Sequence, residues 1–121
     1  MPPISAQLWK STPFDVQPHE QEPGMITFRL SGPFTARDVF SILAPADLHA
    51  ILEVPSQARV HCFDLTAVPY MDSAGMTMIR NHETRCRVRG VQLIVVGSGS
   101  RVAHALKRGK MEHLCQATAR V

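Results

Sequence analysis

Phe63-Asp64-Leu65-Thr66-Ala67-Val68-Pro69-Tyr70-Met71-Asp72-Ser73-Ala74-Gly75-Met76 is the stretch from which the rest of the chain can be read. Its start closes an apolar run, Val60 to Leu65, hydrophobic enough for a strand buried in the middle of a sheet. Val68-Pro69 then marks a turn, and Ser73 opens a helix predicted to run to about Val88, with Gly90 at a C′ position. Downstream, Val91 to Val96 is the clearest strand of the chain. Gly97-Ser98-Gly99 leads into a helix from Ser100 to Lys107, and Leu114 is placed in a last short strand. Upstream, Phe14 to Pro18 alternates apolar and polar residues as an edge strand does. Glu20 to Gly24 reads as a turn and Met25 to Leu30 as a second strand. Thr35 opens a helical segment with Ala36, Val39, Phe40 and Leu43 at three- and four-residue spacing; Pro45 interrupts it, and Asp47 to Leu52 resumes an apolar face. Strands alternating with helices predict an α/β domain with a largely parallel core. Residues 1–13, rich in Pro and Ser with Trp9 as their one large anchor, read as an extension outside a domain spanning 14–121.

Composition narrows the functional classes. A chain of 121 residues is one ordinary domain, and 45% hydrophobic with 19% charged residues is the balance of a folded core, not of disorder. No apolar run reaches the roughly 18 residues of a spanning helix, and no basic segment followed by an apolar one suggests a leader. Three cysteines in separate segments, Cys62, Cys86 and Cys115, fit a reducing compartment better than a disulfide framework. The expectation is a cytoplasmic domain without membrane attachment. Charge is uneven: residues 1–79 hold four Lys/Arg and eight Asp/Glu, whereas residues 80–121 hold nine and two. A basic C-terminal third reads first as a solvated face, and otherwise suits nucleic acid or an acidic protein partner. No aromatic residue lies among those basic positions, so stacking on nucleic-acid bases is not expected.

Within the quoted stretch, Ser73 is expected to be an N-cap whose hydroxyl accepts a backbone N–H of the first turn. Small Ala74 and Gly75 leave that turn open to another protein. A phosphate at Ser73 would add about −1.5 to −2 charge at the positive end of the helix dipole. It would also stand beside Asp72. The helix tolerates such a charge; an approaching acidic surface does not.

The same stretch resembles the signature of STAS domains, specifically the bacterial anti-sigma factor antagonists: a strand ending in Asp-Leu, a short turn with an apolar pair, then Asp-Ser-small-Gly-apolar opening a helix. The resemblance continues through Arg89 to Val96 and Val102 to Leu114, and upstream through Phe28-Arg29-Leu30-Ser31-Gly32. It implies a STAS fold, a small mixed sheet of four to five strands with helices packed on one face, and no enzymatic site and no cofactor. It further implies that Ser73 is the phosphorylation site. The partner is then an ATP-dependent serine protein kinase that doubles as an anti-sigma factor and is released by that phosphorylation. The implied partner-binding surface is Gly32, Thr35, Tyr70, Asp72, Ser73, Ala74, Thr77 and Arg80. The helix 73–88 is expected to bury Met76, Ile79, Glu83 and Cys86, with Met78 and His82 adjoining. Thr35 stands where antagonists often carry an acidic residue, the segment around Leu43-Ala44-Pro45 is about three residues longer than in short antagonists, and the family's terminal helix is not evident. A homodimer, or the Trp9 arm, would cover the surface that helix leaves. The rival expectation is a phosphorylation-independent STAS scaffold, as in a stressosome-like or lipid-transport-like assembly, with Ser73 only a cap.

Other patterns carry less. Gly97-Ser98-Gly99-Ser100-Arg101-Val102 lacks the third glycine of a dinucleotide loop and the Lys-Ser/Thr of a nucleotide loop, and reads as a turn with Ser100 as cap. His82 and Cys86 have a ligating i, i+4 spacing but no second pair such as Cys-x-x-Cys. His61 and Cys62 point to opposite faces of a strand. A hydrolase elbow at Ser73 would need glycine where Met71 stands.

Overall fold

In the computed structural model, residues 14–22, 24–41, 43–53 and 58–116 are described; the extension assigned to 1–13, with Trp9, lies outside them. Four strands, β1 (Asp15–Glu22), β2 (Met25–Ser31), β3 (Val60–Ala67) and β4 (Gln92–Val96), form one sheet in the order β1-β2-β3-β4. The β1–β2 pair is antiparallel; β2–β3 and β3–β4 are parallel. This mixed sheet is the expected architecture. The crossover from β2 to β3 carries α1 (Ala36–Phe40), a short π-type turn, and α2 (Pro45–Leu52). α3 (Ser73–Val88) links β3 to β4, and α4 (Ser100–Arg108) and α5 (His113–Gln116) complete the chain.

Side-chain alternation assigns the two sheet faces. Register puts Ile26, His61 and Leu93 in one row and Phe28, Phe63 and Val95 in the next; all six are buried, with Phe28 and Phe63 fully so. They pack against Leu48 and Leu52 of α2, Met78 and Ile79 of α3, and Val102 and Leu106 of α4 in one core. Thr27, Cys62 and Ile94 occupy the opposite face. The odd–even rule therefore separates His61 from Cys62, as expected.

Several local expectations are corrected. The first strand extends to Glu22, because a bulge between His19 and Glu22 restores pairing with Met25 and leaves only the tight turn at Gly24 (φ +87°). Pro18 is accommodated because β1 is an edge strand. Pro45 does not interrupt a helix; it starts α2 at a first-turn position, where its missing N–H costs nothing. Leu114 is helical and buried, not in a strand. Ser100 is the first residue of α4 behind a Gly99 cap that makes no side-chain bond. The buried face of α3 is Gly75, Met78, Ile79, His82 and Cys86, rotated from the expected stripe. Met76 is only partly buried, and Glu83 is taken up by His113 at 2.6 Å and Arg87 at 3.4 Å. Among the described residues no helix is long and apolar enough to cross a membrane.

Candidate functional site

Two loops are zipped together where β2 and β3 end. Gly32 donates its N–H to the Ala67 carbonyl at 3.0 Å, Phe34 to the Tyr70 carbonyl at 3.1 Å, and Asp72 to the Phe34 carbonyl at 3.4 Å. Phe34 and Met71 form an isolated parallel bridge, and Phe34 stacks on Phe14 with ring centroids 5.1 Å apart. Gly32, at φ +91°, makes the left-handed turn this path requires. The 32–36 loop is thereby pinned against the start of α3.

Asp72, not Ser73, caps α3. Its Oδ1 accepts from the N–H groups of Ala74 (3.0 Å) and Gly75 (3.1 Å), and its Oδ2 accepts from Ala36 (3.0 Å). One carboxylate thus satisfies orphan donors of two helices. The correction has a plain reason: Asp72 has the extended backbone of a cap (φ −105°, ψ −171°), and Ser73 is already helical. Ser73 is exposed and its hydroxyl has no hydrogen-bond partner among the described residues, because the carboxylate beside it has taken over the capping. Asp72→Ala is expected to lose about 2 kcal/mol of stability, near the upper end for a cap, read as a lowered urea midpoint; an unchanged midpoint would show that the carboxylate does not hold the two helices.

Ser73 stands between two surface grooves. One, about 320 Å³, is lined by Phe40, Pro45, Ala74, Thr77, Met78 and Asn81 as well as Ser73. The other, about 310 Å³, is lined by Met71, Asp72, Met76, Ala105 and Arg108 with Ser73. Of the remaining expected positions, Tyr70 is exposed with the Arg101 guanidinium 5.1 Å above its ring. Thr77 is exposed and donates to the Ser73 carbonyl at 2.8 Å. Arg80 donates to the Gly109 carbonyl at 2.8 Å, tying α3 to the end of α4. Thr35 is different: it is 6% exposed, and its hydroxyl accepts from the Asp38 N–H and donates to the Asp38 carboxylate at 2.6 Å. It caps α1 beneath the surface. Phe40, Pro45, Asn81 and Arg108 at the rim are not among the expected site residues, because nothing local in the sequence distinguishes them from ordinary helix residues.

A second cluster lies deep in the core. His82 Nε2 and His61 Nδ1 are 3.1 Å apart. The His82 ring stacks on those of His61 and Phe63 at 5.2 and 5.1 Å, with the His49 ring 6.5 Å away. Burial, reinforced by the charges of its neighbours, holds the His82 imidazole down at about 3 and also lowers His61 and His49. Cys86, one helical turn on, has its thiol pushed up to about 11 by burial. The pair His82/Cys86 is thus not alone, as the spacing suggested: β3 brings His61 to it. Nothing in the sequence joins positions 61 and 82 until the strand register is known.

Comparison with known proteins bears on the first site. A family model of the STAS domain matches residues 18–120. No curated protein sequence matches the chain. Among solved structures, a sulfate transporter family protein from Wolinella succinogenes is similar at 25% identity and a TM-score of 0.65, covering 81% of this chain and 77% of that one. The anti-sigma factor antagonist SpoIIAA in its unphosphorylated form has a TM-score of 0.66 at 13% identity, with 83% and 84% covered. An anti-sigma factor antagonist from Mycobacterium paratuberculosis has a TM-score of 0.59 at 15% identity, with 83% and 80% covered. The last two likenesses are of fold.

Proposed function

The chain belongs to the STAS domain family, and on that premise we propose that it is an anti-sigma factor antagonist-like regulatory protein. In this reading it binds a serine protein kinase that is also an anti-sigma factor, and phosphorylation at Ser73 ends the complex. One observation carries the proposal: an exposed serine at the first residue of the sixteen-residue helix α3, with its hydroxyl spared from capping by Asp72. A kinase needs such a hydroxyl. The product suits a switch, because a phosphoryl group there meets the positive end of the α3 dipole and Arg108 across the groove, so the domain stays folded. Towards a partner, the same group adds about two negative charges beside Asp72 at the centre of the surface. That surface is Gly32, Tyr70, Asp72, Ser73, Ala74, Thr77 and Arg80, with Thr35 supporting it from below. Like charge across an interface costs several kcal/mol, enough to dissociate a transient complex.

The test is the intact mass of wild type and Ser73→Ala after incubation with source-cell lysate and ATP. One added phosphate on wild type alone is expected; none on either protein, with the lysate kinases active, sinks the proposal. Ser73→Asp is expected to fold as wild type does and to bind the kinase at least roughly tenfold more weakly. Equal binding would remove the switch.

A second reading, a phosphorylation-independent STAS scaffold within a larger assembly, is favoured by the likeness at 25% identity to the sulfate transporter family protein. It is distinguished by a partner retained with or without ATP.

A further inference from the structure

The histidine cluster is far from the proposed switch: His82 lies nine residues beyond Ser73 along α3, about 14 Å of helix rise. It packs no better for being polar. A buried neutral imidazole offers one donor and one acceptor, and the contact between His61 and His82 uses one nitrogen of each. The Nδ1 atoms of His82 and His49 are buried with no hydrogen-bond partner among the described residues, in residues only 1% and 7% exposed. Buried imidazoles left half-satisfied make a poor core, and the nitrogens that do face each other, His61 Nδ1 and His82 Nε2, stand beside the Cys86 thiol as a donor set.

We infer that His61, His82 and Cys86 form a binding site for a zinc-type transition-metal ion. One ligand atom from each of the three lies within 4.8 Å of the others. Zinc bonds of about 2.0–2.3 Å place tetrahedral ligand atoms roughly 3.3–3.8 Å apart. The 3.1 Å separation between the two histidine nitrogens is already close to one such edge. The pairs with Cys86, each within 4.8 Å, have at most about 1.5 Å to close. Elements position the ligands without help from the metal: His82 and Cys86 share one helix face at i, i+4, and His61 projects from the inner face of β3. Imidazole and thiol without a carboxylate select a borderline or soft ion over magnesium or calcium.

Protonation fits the same chemistry. The imidazoles are held neutral, so each offers one lone pair at neutral pH; the proton shared between His61 Nδ1 and His82 Nε2 moves on binding to the far nitrogen of the ring that carries it. Cys86 arrives as a thiol; on binding, its S–H bond breaks, a metal–sulfur bond forms, and one proton leaves to the buffer. Arg85 and Arg89 oppose a cation here and Glu53 favours it, as their effects on these groups show. Loss of the thiol proton leaves the site one positive charge above its metal-free state.

The probe is Co²⁺ titrated into the chelator-treated full chain and followed by absorption spectroscopy, with Zn²⁺ added as competitor. The expected result is one Co²⁺ per chain, with the intense visible bands of a tetrahedral ion and a near-ultraviolet thiolate-to-metal band, both bleached by Zn²⁺. Cys86→Ser should lose the thiolate band and weaken Zn²⁺ binding roughly tenfold or more. Cys62→Ser, which alters the opposite sheet face, should keep both. The inference is overturned if wild type shows no thiolate band, an outcome independent of whether any variant folds. It is equally overturned if the band survives in a folded Cys86→Ser protein or vanishes in a folded Cys62→Ser protein.

Discussion

Gly75→Ala is expected to cost about 3 kcal/mol of stability, although helix propensity alone argues for a gain of up to about 1 kcal/mol. A Cβ at position 75 would stand 2.3 Å from the Phe34 carbonyl oxygen and 3.2 Å from the Met71 Cβ. The first neighbour is backbone, and it is held: the Phe34 carbonyl accepts from Asp72 and the Phe34 N–H donates to Tyr70. It cannot swing aside as a long side chain would. Either the 32–36 loop moves off α3, breaking the zipper that presents Gly32 and Ser73 together, or α3 shifts and loses the Asp72 cap. Overpacking of a rigid site lies at the upper end of the usual range, so the clash outweighs the propensity. Urea unfolding gives the direct measurement. Gly99→Ala, whose Cβ would meet nothing within 4 Å, is the comparison and should lose far less. A Gly75→Ala protein as stable as wild type would mean that the loop does not approach the helix this closely. Because the same contact shapes the proposed partner surface, a folded Gly75→Ala protein should also bind the partner less well.

This contact also marks how far the sequence could be read. The motif around Asp72-Ser73-Ala74-Gly75 places the helix start within one residue, and the apolar run Val60 to Leu65 and the segment Met25 to Leu30 are read as strands, while their buried faces follow only from the register. The motif and the two segments are local signals. What the motif did not disclose was why a glycine must stand at position 75, since the reason is a carbonyl forty-one residues earlier in the chain. It did not separate Asp72 from Ser73 as cap either, because both residue types cap well and only backbone conformation decides between them. Thr35 was expected at the surface for a similar reason. A threonine before a helix is polar by type, yet its hydroxyl here satisfies Asp38 from within. The rotation of the buried face of α3 followed from neighbours, since Glu83 finds His113 only once α5 is in place. Long-range partners account for Gly75 and for the rotation of α3, and local backbone conformation for the caps at Asp72 and Thr35.

The histidine cluster supplies the second large effect, and it should be measured with chelator present so that no metal contributes. His82 is held at about 3 against an ordinary 6.5, with burial the largest cause, the neighbouring His61, His49 and Arg85 adding to it and Glu53 opposing. Arg89 acts on His61 in the same direction as Arg85 acts on His82. A base with its folded pKa depressed takes up its proton in the unfolded chain first. The unfolded state therefore binds more protons between about pH 6.5 and pH 3, and stability falls as pH falls through that window. The slope is about 1.4 kcal/mol per pH unit for one such group, so lowering the pH from 7.5 to 4.5 should cost about 2.7 kcal/mol through His82 alone. His61 and His49 are lowered as well and add to the loss. Against a total of about 5–15 kcal/mol for an ordinary domain, that is a substantial fraction. His82→Phe isolates the effect: its ring would sit among Phe28, Phe63 and the two histidines, where an apolar ring of similar shape is tolerated. It has no proton to bind. The variant should lose roughly 2.7 kcal/mol less than wild type between the two pH values, whatever the carboxylates contribute to both. Parallel losses in the two proteins would show that His82 titrates normally, and hence that it is not sealed in the core.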